Sequence, residues 1–258
     1  VILEFKEHLD PKPYTWTGRP RVDLLSHQLR YDAAVHRKSA KPLQEDVGIA
    51  VLYGNLAPLG AVIKPSAATK DRLQHRGPAL VFDGVEDFHA RIDDPDLDVD
   101  ANTVLILRGC GPKGYPGMPE VANLILPSKV LEKGVTDMVR ICDGRMSGTA
   151  YGTVILHVAP EAAAGGPLGL VRDGDTIVLD VENRTLNIDI SPEELASRSP
   201  APAMLKALAN PSRGWARMYI DHVMPADRGA DLGFLLGSSG LDGPTESPNV
   251  NTKRPVQP

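Results

Sequence analysis

The chain has 258 residues, 42% of them hydrophobic and 24% charged, a globular composition that excludes a disordered or fibrous class. A net charge of −5 argues against a general nucleic-acid binder, and no apolar run reaches the roughly 20 residues that cross a bilayer. Cys110 and Cys142 are too few for a disulfide framework and fit a reducing, cytoplasmic compartment, while the charged residues 1–10 form no secretory signal.

Residues 1–44 read as a separate extension. They hold Pro11, Pro13 and Pro20, a basic cluster at Arg37, Lys38 and Lys41, and one amphipathic helix expected over 23–35. His8, His27 and His36 have no metal-site spacing and read as surface residues. From Val47 the texture becomes β-rich. Strands are expected at 48–53, 61–64, 78–83 and 103–108, with residues 68–77 polar and exposed and a helix over 84–92. The acidic run 93–100 lacks the glycine and spacing of a calcium loop and reads as a solvated turn. A helix is expected over about 120–134, interrupted by Pro127.

Two further strands, 138–142 and 153–158, flank a loop carrying Asp143, Gly144, Arg145, Ser147, Gly148, Thr149 and Gly152. Read blandly, this is a tight strand-to-strand turn whose hydroxyls bond their own backbone. A hairpin follows at 176–190, then a helix with Ser191 as N-cap, Pro192 in its first turn and Glu194 closing a capping box. Residues 238–258 are rich in Gly, Pro, Ser and Asn and read as a disordered tail. Alternating strands with few long helices predict a β-barrel or sandwich flanked by helices.

Three patterns bear on chemistry. Gly109-x-Gly111-x-x-Gly114 follows a strand, but Pro112 and Pro116 prevent the helix that a dinucleotide fingerprint must open. Ser147 fails the nucleophile-elbow pattern because Arg145 stands where that pattern needs glycine; His157, inside an apolar run, reads as a core or edge residue. Glu120, after a glycine-rich loop, either caps the predicted helix or offers a hard oxygen to Mg²⁺; spacing does not separate the two.

Taken together, several segments resemble the dihydroxy-acid and sugar-acid dehydratase family. They are Gly54–Pro58 with Gly60–Lys64, Gly77–Ala79 with Val81–Gly84, Gly111–Gly114 with Pro116–Glu120, and Asp143–Gly148. Gly165–Pro167, Asp173–Asp175 and Gly229–Leu232 with Phe234-Leu235 follow in the same order. They cover about residues 47–237, and the wording around Tyr115 and from Ser147 to Gly152 is closer to the pentonate branch. The resemblance implies a mixed α/β C-terminal domain over 45–237, a swivelling β-barrel with flanking helices. It also implies removal of water from a 2,3-dihydroxy carboxylate, a sugar acid or dihydroxy acid, to give a 2-keto acid.

By the same resemblance Ser147 is the base for the C2 proton and Thr149 its neighbouring hydroxyl. Glu120 is the Mg²⁺ ligand supplied by this domain, and Arg145, Gly148 and Tyr115 contact substrate. The chemistry is coherent. A C2 proton is a poor acid until a cation holds the adjacent carboxylate, and a serine is a poor base until positive charge lowers its pKa. The family's iron–sulfur cluster, [2Fe–2S] or a related type, is ligated from an N-terminal domain that these residues do not contain. Cys110 and Cys142 match no cluster ligand. The chain alone is therefore expected to be inactive. It is a fragment, one subunit of a split enzyme completed by a cluster-bearing partner, or a non-catalytic binding or regulatory module. The face left uncovered is expected to drive homo-oligomerisation; no nucleic-acid or membrane partner is expected.

Overall fold

The run Val104–Arg108 is apolar over nearly its whole length, and in the computed structural model it lies in the middle of a sheet, buried on both faces. The structure describes residues 18, 48–121, 124–146, 151–208 and 210–237. The chain divides into Val1–Gly48 and Ile49–Pro258. Of the first unit only Gly18 and Gly48 are described, so the helix expected over 23–35 lies outside the described residues, as does the tail expected at 238–258.

Eight strands build the second unit: β1 (Ala50–Leu52), β2 (Gly60–Ile63), β3 (Gln74–Asp83), β4 (Val104–Arg108), β5 (Arg140–Cys142), β6 (Val154–Ala159), β7 (Thr176–Asp180) and β8 (Thr185–Ile188). They pair in the order β1-β2-β6-β5-β4-β3-β7-β8. The sheet's two ends meet where Tyr53 donates to the Arg184 carbonyl and accepts from Leu186 N, both at 2.9 Å. Asn55 extends this seam: its side chain accepts from Ile188 N and donates to Ile188 O. The result is a nearly closed barrel, which leaves little exposed strand edge.

Period-two alternation sorts the strand residues between two cores. Ala79 and Val81 of β3, Val104 and Ile106 of β4, Ile141, Ile155, Ile177, Leu179, Leu186 and Ile188 fill the barrel. Leu80, Phe82, Leu105, Leu107 and Cys142 point outward into a second cluster with Phe88, Ile92, Leu124, Leu126 and Val130. Helices α1 (Val85–Arg91) and α2 (Ser128–Leu131) contribute to that outer layer. Phe82 and Phe88 meet edge to face at 5.0 Å, and Arg91 lies over the Phe82 ring.

Three expectations change. β3 begins at Gln74, inside the stretch read as exposed, because its first half pairs antiparallel with β7 while its second half pairs parallel with β4. The helix expected over 120–134 shrinks to α2, starting immediately after Pro127. Helix α3 (Pro192–Ser197) has the Ser191 cap, but the Glu194 carboxylate binds Arg198 at 2.6 Å rather than closing a capping box.

Candidate active site

The decisive topological fact is that β5 pairs parallel with both β4 and β6. A parallel neighbour cannot be reached by a tight turn. The loop read as a strand-to-strand turn is therefore a crossover: the chain leaves β5 at its C-terminal end and re-enters the sheet beside its N-terminal end, where Arg140 pairs with Val154. Residues 109–139 make the same journey from β4 to β5. The Glu120 and Ser147 motifs fall on these two crossovers.

The first part of the β4 crossover is moulded on two buried carboxylates. Asp143, fully buried, accepts from Gly109 N at 3.1 Å, Cys110 N at 2.8 Å and Ala162 N at 2.9 Å. Glu161 accepts from Lys113 N at 2.9 Å and Gly114 N at 3.0 Å. Gly111 lies so close that a Cβ there would stand 2.5 Å from Glu161 Oε2. Burial pushes the Glu161 carboxyl up to about 7, against the pull of these amides; burial likewise raises Asp143. Gly111 thus serves close approach to a carboxylate of the same chain, and Gly114 close approach to the Gly109 backbone.

Further along, the crossovers touch. Glu120 pairs with Arg145 through a parallel backbone bridge, and the Arg145 guanidinium stands 3.6 Å from the Glu120 carboxylate. Arg145 Nε also donates to the Met118 carbonyl at 2.7 Å, and Met118 holds a left-handed φ of 47°. Such a conformation is uncommon for a side chain of that size and clusters at functional sites. Both charged side chains are 48% exposed, so their attraction stabilises the fold by only about 0–1 kcal/mol. Glu120 is no helix cap, since among the described residues no helix begins there. It remains an open carboxylate, the donor that a hard cation needs.

At their far ends the crossovers share one buried arginine. Arg140 Nη1 donates to the Leu124 carbonyl at 2.9 Å, and Nη2 to the Tyr151 carbonyl at 3.0 Å and to Asp137 at 3.3 Å. Asp137 accepts from Thr153 Oγ1 at 2.7 Å, Thr153 N at 2.9 Å and Thr69 N at 3.2 Å. Burial raises the Asp137 carboxyl, but the bonds from Thr153 and Thr69 outweigh it and hold it below the usual range.

Tyr115 is half-buried, its amide bonded to the Gly111 carbonyl at 3.0 Å. Ser147, Gly148 and Thr149 lie outside the described residues. His157 is half-buried, its pKa lowered first by burial and then by Arg145. Among the described residues, Cys110, Cys142 and Asp143 form the one group of potential metal ligands within 4.8 Å of one another. They do not suit an iron–sulfur cluster. Three amides occupy the Asp143 carboxylate, Gly144 N donates to Cys142 Sγ, and burial drives the Cys142 thiol up. Sequence reasoning missed Asp137, Arg140 and Glu161. Their signals were a charge inside the apolar run Met138–Cys142 and an acid before a run of alanines and glycines.

Comparison with known proteins agrees with this architecture. The family described as dihydroxy-acid/6-phosphogluconate dehydratase C-terminal matches residues 34–230. The chain is 52% identical over 244 residues to L-arabonate dehydratase of Azospirillum brasilense, covering 92% of this chain and 42% of that protein. It is 48% identical over 247 residues to 6-deoxy-6-sulfo-D-gluconate dehydratase of Pseudomonas putida, covering 95% and 42%. It is 41% identical over 232 residues to dihydroxy-acid dehydratase of Methanospirillum hungatei, covering 90% and 41%. The chain thus spans about two fifths of the length of the curated relatives it matches. A barrel whose parallel strands send two long crossovers past one another, with this match over most of its length, belongs to the dihydroxy-acid/6-phosphogluconate dehydratase family, of which it is the C-terminal domain.

Proposed function

We propose that this chain supplies the base and one metal-binding carboxylate to a sugar-acid dehydratase. The supporting observation is the Glu120–Arg145 bridge, which sets the carboxylate beside the crossover that continues, two residues later, into Ser147. Ser147, as the alkoxide, takes the C2 proton of a 2,3-dihydroxy carboxylate. The proton is passed on to the departing C3 hydroxyl, which leaves as water and restores the serine alkoxide, and the resulting enol becomes the 2-keto acid. Thr149 orients the same substrate end. Arg145 holds its carboxylate and lowers the pKa of the nearby hydroxyl.

Glu120 fits Mg²⁺: it is an exposed hard-oxygen donor whose partner, Arg145, is only weakly engaged. When bound, Mg²⁺ supplies Lewis acidity toward substrate oxygens. The iron–sulfur cluster belongs to the portion of the enzyme that the relatives carry beyond this domain. A pentonate or related aldonate is the substrate class, following the relatives named for arabonate and sulfogluconate. The chain is to be mixed anaerobically with the N-terminal portion of an arabonate dehydratase and assayed for keto acid from a panel of aldonates. Turnover in the mixture, dependent on Mg²⁺ and absent from either half alone, is expected. A stable mixture that dehydrates none of them overturns the reading.

A further inference from the structure

We infer that Arg140 is a positioning residue, a buried clamp that fixes the spacing between Leu124, on the crossover that bears Glu120, and Tyr151, on the crossover after β5. Its catalytic consequence rests on the function proposed above; its structural consequence does not. One planar guanidinium presents N–H groups in a rigid fork, so two acceptors bound to it are held at a set separation. Here the acceptors are the carbonyls of Leu124 and Tyr151, one on each crossover. Arg145 ties the same two segments at their other end, through Met118 and Glu120. The two crossovers are thus tied at two described places, Arg145 to Met118 and Glu120, and Leu124 through Arg140 to Tyr151.

Several features show that this fork is held in place. Arg140 is 5% exposed, and Asp137 behind it is 4% exposed. Asp137 also binds Thr153 and Thr69, while Gly152 N donates to the Ala67 carbonyl at 2.8 Å. Gly152, at φ 114°, leaves no room for a side chain: a Cβ there would collide with the Arg140 guanidinium. Arg140 Nε is buried without a partner among the described residues. A buried N–H left unpaired is a cost. An arginine kept there despite it is explained by what its other nitrogens hold.

Hydrogen exchange on the chain tests the clamp, comparing wild type with Arg140→Lys and Gly152→Ala. Lysine keeps the charge beside Asp137 but offers a point donor on a flexible stem in place of the fork. Gly152→Ala keeps Arg140 and displaces it. In both variants, exchange across 118–126 and 143–153 is expected to quicken together, by roughly tenfold or more, while β2, β7 and β8 keep their protection. One segment loosening alone, neither loosening, or all strands loosening equally overturns the clamp. In the mixed enzyme, assayed well below the Tm of either form, Arg140→Lys is expected to lower kcat and raise the Mg²⁺ concentration for half-maximal rate. An inactive wild-type mixture sinks the dehydratase reading alone, and the exchange result still decides the clamp.

Discussion

The barrel has a parallel side, β3 to β6, and an antiparallel side, β7 and β8 with β1 and β2. On the antiparallel side, β7 and β8 are joined by a short turn in which Asp180 accepts from Asn183 N at 2.9 Å, and burial alternates strictly along β7. On the parallel side β4 is buried on both faces, and every connection crosses the length of a strand. Short turns leave little chain with which to build a site. Long crossovers leave a great deal, and both sets of candidate residues lie there.

The contrast breaks most visibly in turnover. In the mixed enzyme Glu120→Gln, on the parallel side, is expected to slow keto-acid formation by about 10³-fold or more, ~4 kcal/mol of barrier. Arg76→Ala, which removes the exposed Arg76–Asp189 pair where the first half of β3 runs antiparallel to β7, is expected to leave the rate within about twofold. Comparable losses from both would remove the distinction.

Stability should divide the same way. Phe82→Ala in the outer core is expected to cost about 3–5 kcal/mol by urea unfolding, because the residue is fully buried against Phe88. Val178→Ala, half-buried on β7, is expected to cost under about 1 kcal/mol.

A smaller effect sharpens the account of the glycine-rich loop. Glu161 titrates at about 7 in the folded chain against an ordinary 4.5, so the native state holds its proton more tightly than the unfolded chain does. Its contribution is fully present below about 4.5 and is lost as pH rises through 7, on the order of 3 kcal/mol in all. Asp137, held low when folded, works in the opposite sense and loses its contribution as pH falls. Unfolding measured between pH 4.5 and 8 should therefore show a flatter profile for Glu161→Gln than for wild type. Parallel profiles would mean that the carboxylate is not desolvated as its burial implies. Smallest of all, Ser191→Ala should remove the α3 cap at about 1 kcal/mol, with no effect on turnover.

Much of this was legible in local pattern. The runs at 103–108, 138–142 and 153–158 and the hairpin at 176–190 are strands because aliphatic residues alternate or run between glycines and prolines. Apart from the hairpin, whose two strands do pair with each other, the partners of those strands were not legible. Nothing in Met138–Cys142 or Thr153–Val158 says that the two pair parallel, and that pairing turns an apparent loop into a crossover. Gln74–Gly77 looked exposed because its side chains are largely polar, yet its backbone completes the ladder with β7. Glu120 was legible from its position as either a helix cap or an oxygen donor, and only the resemblance chose between them. Arg140 was overlooked because a single charge in an apolar run looks like a flaw in a strand until the two carbonyls it holds are seen.

The central claim is that the crossover after β5 carries the base for the reaction. Keto-acid formation from an aldonate, measured in the anaerobic mixture with Ser147→Ala in place of wild type, tests it most directly. The account predicts no keto acid above background, with fold, iron content and association of the halves unchanged. Turnover at the wild-type rate would contradict it.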